Sequence, residues 1–215
     1  MFLGHFAVGF GAKRLAPALS LGALFLAVQL IDLMWPTLLA LGIERVAIVP
    51  GITAVAPLDF EHYPYSHSLI GVLVWALLCG GVYALLSRDR RAAWILGALV
   101  LSHWLLDLLT HRPDLPLLLD GPKVGLGLWQ SWGASLALET LMFAGGLWLY
   151  ATSTRAIDRT GHWALWGLVA FLLAIHLGNY LGPPPPSVGD IAIVGHAQWL
   201  LVLWGYWVDR HRRAV

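Results

Sequence analysis

Residues 68–86 read SLIGVLVWALLCGGVYALL, a run of 19 residues without a charged side chain. A helix of about 20 apolar residues is long enough to cross the hydrocarbon layer of a bilayer, which is roughly 30 Å thick. Inside that layer every backbone N–H and C=O group needs a partner within the protein, so an isolated apolar run is predicted to be helical. This stretch therefore predicts a membrane-spanning helix.

Similar runs recur along the chain, and we predict six spans: 19–41, 68–86, 92–110, 134–152, 162–181 and 191–208. Hydrophobic residues make up 59% of the 215 residues and charged residues only 12%, which is about half the charged share of a soluble domain. This composition excludes a soluble globule. The sequence predicts an all-α polytopic membrane protein, with residues 1–215 forming one transmembrane helical domain.

Residues 1–12 are apolar, but twelve helical residues cover only about 18 Å. Lys13 and Arg14 follow this segment rather than precede it, so we expect it to belong to the folded protein and not to a cleaved signal. The preferred interpretation is a half-membrane helix that places His5 at mid-depth inside the bundle. The alternative is an amphipathic helix lying on the membrane surface.

The basic residues divide unevenly between the two sides of the predicted bundle. Ten lie on one side: Lys13, Arg14, Arg88, Arg90, Arg91, Arg155, Arg159, Arg210, Arg212 and Arg213. Three lie on the other: Arg45, Arg112 and Lys123. The bias predicts that both termini are cytoplasmic, so the connections 42–67 and 111–133 face outward. The net charge of +1 indicates no nucleic-acid partner, and membrane lipids are the expected surroundings.

Ionisable side chains within the spans concentrate in the predicted outer half of the membrane. Six of them lie there: Asp32, His103, Asp107, Glu139, His176 and His196. Such groups are costly in hydrocarbon and are functional-site candidates by default. We therefore predict a shared cavity that opens outward. No Lys or Arg lies within a predicted span, so a bound metal cation is one way to neutralise the carboxylates.

Two local patterns supply candidate metal ligands. His103 and Asp107 are one helical turn apart, so their side chains share a stripe and could hold one ion; a plain His–Asp ion pair between helices is the alternative. Pro64 delays the next span until Ser66, a possible helix cap, which brings His67 to the cavity rim; interfacial anchoring is the alternative there. Imidazole and carboxylate ligands without thiolate suit zinc, with manganese or iron also possible.

These residues resemble a family of membrane-bound metal-dependent hydrolases whose founding member is a LexA-regulated bacterial inner-membrane protein. The likeness covers residues 4–118 and includes Gly4-His5, Asp32 with Pro36, His62 with Ser66-His67-Ser68-Leu69, and Ser102-His103 with Asp107-Leu108-Leu109-Thr110. It implies a bacterial inner membrane, a distant likeness to zinc-dependent phospholipases C, and a metal site built from a common set of ligands: His5, Asp32, His62, His67, His103 and Asp107. The family usually has Asp-x-Asp-His-Pro, whereas this chain has Asp32-Leu33-Met34-Trp35-Pro36.

The leading functional prediction is a zinc-dependent hydrolase of phosphoester or lipid-like substrates, acting in the outer half of the bilayer. Glu139 or His111 could serve as the general base, and the sequence does not choose between them. One alternative is a transporter in which the same groups bind a metal or relay protons. Another is a non-catalytic subunit of a membrane assembly whose metal site is structural. The sequence does not identify protein partners.

Overall fold

The computed structural model describes all 215 residues. Its helices are α1 (Leu3–Ala12), α2 (Leu21–Ala40), α3 (Pro64–His67), α4 (Leu69–Ser87), α5 (Arg90–Thr110), α6 (Trp132–Ser153), α7 (Arg159–Leu181), α8 (Val188–His196) and α9 (Gln198–Arg210). Six spans, the last formed by α8 and α9 together, are long and apolar enough to cross a membrane. The predicted all-α polytopic membrane fold is confirmed.

Every span begins at a serine or aspartate whose side chain accepts a backbone N–H from the first turn. These caps are Ser20, Ser68, Asp89, Ser131, Asp158 and Ser187. Such side chains satisfy donors that a helix leaves unpaired at its start. The cap of α4 is therefore Ser68, and the prediction that Ser66 caps this span is wrong.

The sixth span is interrupted, whereas the sequence predicted a continuous helix over 191–208. Ala197 lies between α8 and α9, and its N–H donates to the carbonyls of Ile193 and Val194. Packing fixes this region against α2, because a Cβ at Gly195 would collide with the ring of Pro36. The interruption has no proline or glycine at residue 197 to signal it, so it was not predicted.

Helix α1 lies inside the bundle, as the half-membrane interpretation requires. Eight of its ten residues are buried, and a surface helix would expose one face instead. Its backbone approaches α6 so closely that a Cβ at Gly146 would collide with the carbonyl oxygen of Ala7. Small residues at such crossings allow helices in membranes to pack backbone to backbone. The surface-helix alternative is therefore wrong.

A buried ion pair anchors the chain just after α1. Lys13 is only 4% exposed, and its Nζ donates to Asp209 Oδ2 at 2.5 Å and to the carbonyl of Leu19 at 2.7 Å. The Tyr150 hydroxyl donates to the other oxygen of Asp209 at 2.9 Å. Lys13, one of the ten basic residues predicted on the cytoplasmic side, is thus covered by protein and links α1, α6 and α9.

Short strands complete the connections. At one end β1 (Arg45–Ile48) pairs antiparallel with β2 (Leu58–His62), and β3 (Leu115–Pro116) with β4 (Lys123–Val124). At the other end β5 (Thr154–Ala156) pairs with β6 (Arg212–Ala214). The first two hairpins, α3 and the 3-10 turn Leu128–Gln130 surround the ends of α2, α4 and α5, where the candidate site lies.

Candidate metal centre

Four side chains from α2, α3 and α5 meet in the bundle. Asp32 Oδ1 lies 3.4 Å from His67 Nε2 and 3.6 Å from His103 Nε2. Asp107 Oδ2 lies 3.2 Å from His103 Nε2 and 3.9 Å from His67 Nε2. Three of the four residues are at most 4% exposed, and Asp32, at 25%, faces a cavity. We call these four residues the metal cluster.

The spacing of the four donor atoms suits a four-coordinate ion. Zinc binds histidine nitrogen and carboxylate oxygen at about 2.0–2.1 Å in tetrahedral sites, which places neighbouring donors about 3.3–3.4 Å apart. Four of the six separations among these atoms run from 3.2 to 3.9 Å, and the donor atoms of Asp32, His67 and His103 all lie within 4.8 Å of one another. Small movements of the side chains would therefore bring three protein ligands onto one ion and leave a fourth position open, as catalytic zinc requires.

Hydrogen bonding fixes His103 in the tautomer that a metal ligand needs. Its Nδ1 lies 2.8 Å from the carbonyl oxygen of Val28, which can only accept, so Nδ1 carries the proton. The neutral ring then presents the lone pair of Nε2 to the metal cluster. That Nε2 is buried without a hydrogen-bond partner, as expected of an atom placed for an ion.

His67 is oriented by a buried chain of two polar groups. The Ser66 hydroxyl donates to Glu44 Oε2 at 2.6 Å, and its oxygen lies 2.7 Å from His67 Nδ1. Because the hydroxyl proton is already given to Glu44, His67 Nδ1 must donate to Ser66. Its Nε2 lone pair therefore faces Asp32 and Asp107. Second-shell hydrogen bonds of this kind set the tautomer and orientation of metal-binding histidines.

Glu44 was missed by the sequence analysis. It is 1% exposed, and its Oε1 also accepts the backbone N–H groups of Tyr65 and Ser66. Glu44 lies in a loop far along the chain from His67, where a glutamate is ordinary. No sequence signal relates the two residues, so the contact needed the folded structure.

Ser66→Ala should weaken metal binding about 10- to 100-fold, the usual cost of losing a second-shell partner. The change removes the acceptor that orients His67 but leaves all four ligands in place. Titration of the purified variant with zinc against a competing chelator measures the effect. Ser68→Ala is the matched control, because it loses a helix cap, which costs about 1 kcal/mol, without touching His67. Equal zinc affinity in the Ser66→Ala variant and wild type would contradict the assigned hydrogen-bond chain.

His5 approaches the other face of the same carboxylate. Its Nε2 lies 3.2 Å from Asp107 Oδ1, and its ring stacks on His103 with centroids 3.7 Å apart. The backbone nitrogen of Met1 lies 2.8 Å from Asp107 Oδ1. The structure thus brings five of the six predicted ligands together, with His5 beside the four-residue cluster.

His62, the sixth predicted ligand, is not brought to the cluster. It lies at the end of β2 opposite Arg45, and its ring packs against Tyr65 with centroids 6.2 Å apart. Pairing of β2 with β1 holds His62 away from the metal cluster. Helix α3 follows and places His67 in the cluster. Spacing along the chain could not distinguish the two histidines, because the hairpin that separates them has only a weak sequence signal.

His111 forms a separate polar group at the end of α5. Its Nδ1 lies 3.0 Å from Asp114 Oδ1, so the carboxylate accepts the Nδ1 proton and leaves Nε2 as the basic nitrogen. The Tyr63 hydroxyl also donates to Asp114, and Arg112 forms an ion pair with it. Burial, reinforced by the negative charge of Asp114, raises the pKa of Tyr63, which keeps its hydroxyl protonated as a donor. His111 is held between Trp129 and Phe60, with ring centroids 4.4 and 4.8 Å away.

Glu139 holds the start of α1. Its Oε2 accepts the backbone N–H groups of Phe2 at 2.9 Å and Leu3 at 2.8 Å, with Gly4 at 3.5 Å. A carboxylate at a helix N-terminus pairs with free donors and with the positive end of the helix dipole. The sequence analysis named Glu139 as a possible general base, whereas the contacts of Oε2 support a structural role in placing His5.

A cavity of about 510 Å³ connects these groups to the end of the bundle. Its polar lining includes Asp32, His67, Asp107, His111, Glu139 and His176, and its mouth is formed by residues 50–58 and the proline run Pro183–Pro185. The shared cavity was predicted, but His196 was wrongly included. His196 is exposed on the outside of α8 and hydrogen-bonds Thr37 at 3.0 Å.

The chain is similar to part of an apolipoprotein N-acyltransferase from Parasynechococcus marenigrum (strain WH8102), with 30% identity over 133 residues. The alignment covers 57% of this chain and 26% of that enzyme, so the chain spans about a quarter of its relative's length. No protein-family model matches the chain. No solved structure matches it either. These comparisons support a membrane protein with a partial likeness to an enzyme.

Proposed function

We propose that the protein is a membrane-embedded, metal-dependent hydrolase of ester-linked, lipid-like substrates. The observation that carries the proposal is the metal cluster itself, in which each of the two histidine Nε2 atoms lies 3.2–3.9 Å from an oxygen of both Asp32 and Asp107. Two of its histidines have their Nδ1 protons already engaged. In its neutral form each of these rings would present the Nε2 lone pair to a metal ion held by the same two aspartates.

Zinc is the proposed cofactor, since nitrogen and oxygen donors in tetrahedral spacing suit it. Bound zinc would supply a Lewis acid that polarises the ester and lowers the pKa of an attacking water. The residues of this chain then have distinct tasks. The metal cluster holds the ion, Ser66 and Glu44 orient His67, and Val28 orients His103. Helix α1 closes the remaining side with His5.

His111 is the proposed general base. Asp114 fixes its tautomer, and the ring lines the same cavity as Asp32 and His67. A histidine oriented by a carboxylate can take a proton from water near neutral pH and return it to the leaving group. Glu139 is the weaker candidate, because one of its oxygens is occupied by the backbone of α1.

The motif resemblance to the LexA-regulated hydrolase family supports this proposal, although the comparisons do not recover that family. A second candidate, acyl transfer, is favoured by the partial similarity to an N-acyltransferase. The two reactions can share a site and differ in whether water or an amine receives the acyl group. Product analysis separates them, because only transfer yields an acylated amine.

Metal removal tests the proposed function. The protein purified in detergent should hydrolyse a short-chain phospholipid or lipid ester, and a chelator should abolish that activity. Adding back zinc in stoichiometric amount should restore it. Activity that persists after the metal has been fully removed would rule out a metal-dependent reaction. Zinc binding without any turnover of phosphoester or carboxylic ester substrates would favour a structural site or a transporter.

We also propose a bacterial inner-membrane location with both termini in the cytoplasm, on the basis of the charge bias. In a Cys79→Ala background, a cysteine at Tyr65, which is 47% exposed, should react with an impermeant thiol reagent added to intact spheroplasts. A cysteine at the exposed Arg155, at the opposite end of the bundle, should react only after lysis. The reverse labelling pattern would invert the orientation and place the cavity mouth in the cytoplasm.

A further inference from the structure

The cavity has a second polar wall that the metal cluster does not use. His176 and Tyr180 lie one turn apart on α7, with ring centroids 4.8 Å apart. Both line the cavity beside Glu139. None of the three residues belongs to the metal cluster. We refer to His176, Tyr180 and Glu139 together as the α7 pocket.

The polar atoms of the α7 pocket are unpartnered. His176 is 2% exposed, and neither of its ring nitrogens has a hydrogen-bond partner. The buried hydroxyl of Tyr180 has none either. Buried polar groups in native proteins are nearly always paired, so groups left unpaired toward a cavity point to a missing ligand or water. A neutral imidazole and a phenol can both accept hydrogen bonds from such a ligand.

Glu139 contributes a free carboxylate oxygen to the same pocket. The backbone N–H groups at the start of α1 all donate to its Oε2. Its other oxygen, Oε1, takes no part in those bonds. The α7 pocket therefore combines one anionic acceptor with two neutral groups that can also accept.

The charges around the cavity select against anions. Three carboxylates line it, those of Asp32, Asp107 and Glu139, and no Lys or Arg does. The nearby Arg112 is engaged by Asp59 and Asp114, while Lys123 donates to backbone carbonyls of β2. The amino group of Met1, 2.8 Å from Asp107 Oδ1, offsets one of the three negative charges, so the lining carries a net charge of −2 before any divalent ion binds.

We propose that the α7 pocket binds the primary ammonium group of a lipid headgroup such as ethanolamine. Glu139 Oε1 would pair with the positive charge, and His176 and Tyr180 would accept the remaining N–H bonds. An ammonium group has three donors, one for each of these three acceptors. The assignment as a substrate site rests on the proposed hydrolase. Binding of the ammonium group itself does not require the metal.

Two short-chain lipids that differ only in headgroup charge test the proposal. The probes are dihexanoyl phosphatidylethanolamine and its N-acetylated form, which keeps the chains and phosphodiester but loses the ammonium. Calorimetric titration of the protein in detergent should show at least about tenfold tighter binding of the amine form, since a charge-assisted hydrogen bond is worth about that factor. The preference should remain after zinc is removed by chelation.

Substitutions in the α7 pocket test whether this pocket causes the preference for the amine lipid. His176→Leu and Tyr180→Phe should each reduce the preference for the amine lipid to less than about threefold, and His162→Leu, an exposed position on the same helix, should leave it unchanged. The melting temperature of His176→Leu should not fall, because the replaced nitrogens have no partner to lose. If buried water were hydrogen-bonded to His176, the His176→Leu substitution would instead lower the melting temperature.

Equal binding of the two probes by the wild type, or a preference that survives both variants, would overturn the ammonium pocket. These outcomes are separable from failure of the hydrolase proposal. A metal-independent preference without any hydrolysis leaves the pocket standing and removes the enzyme. Hydrolysis with no headgroup preference would support the enzyme and rule out the ammonium pocket.

Discussion

His103→Ala and Asp107→Ala should each lower the zinc affinity of the protein by at least about tenfold, and more if either residue is a direct ligand. Loss of a second-shell partner alone costs about 10- to 100-fold, and these two side chains supply donor atoms. Both sit on α5 at positions fixed by the surrounding helices. Metal content by elemental analysis and affinity by chelator competition measure the effect.

His196→Ala is the matched control for these variants. It removes a histidine from the same protein, but that residue is exposed and bonds Thr37 rather than the cluster. Its metal content should equal that of the wild type. Circular dichroism of each purified variant checks that the fold is intact. Full metal content in both His103→Ala and Asp107→Ala would exclude this location for the metal.

Lys13→Met should destabilise the protein by about 3–5 kcal/mol, the cost of removing one partner from a buried ion pair. The change leaves Asp209, which is 12% exposed, with only the Tyr150 hydroxyl as a donor. It also frees the carbonyl of Leu19, which ends the turn between α1 and α2. Reversible unfolding in mixed micelles, followed by circular dichroism, gives the difference in free energy.

Arg14→Met separates this effect from a general loss of positive charge. Arg14 is the exposed neighbour of Lys13, and a substitution there should change stability by less than about 0.5 kcal/mol. A similar small change for Lys13→Met would mean that the ion pair with Asp209 does not stabilise the fold.

The sequence predicts the spans well because lipid permits few backbone structures. The predicted span 68–86 became Leu69–Ser87, and 92–110 became Arg90–Thr110. The interruption at Ala197 escaped prediction because it arises from packing of α8 against Pro36, a contact between distant segments. The burial of Lys13 was not predicted for the same reason, because it depends on an ion pair with Asp209, a residue near the other end of the chain.

Within the candidate site, residues joined by local spacing were predictable and residues joined by folding were not. His103 and Asp107 are one turn apart, so any helix places them together. His62 and His67 look equivalent in the sequence, and only the β1–β2 pairing separates them. Glu44 carries no local signal, and its role depends on the loop that the fold brings beside His67. His176, by contrast, was predicted to line the shared cavity from its position within a span, and it does.

The attachment of α1 has a consequence for the order in which the protein is assembled. Glu139, whose carboxylate accepts the first N–H groups of α1, lies 135 residues after Gly4. Asp107, which contacts His5, lies 102 residues after that histidine. During synthesis α1 is therefore made long before the helices that contain it. With ten residues it is too short to cross a bilayer alone. Its contacts with Asp107 and Glu139 can therefore form only after α5 and α6 have been made. The approach of His5 to the metal cluster would then follow the assembly of the helices that hold the cluster.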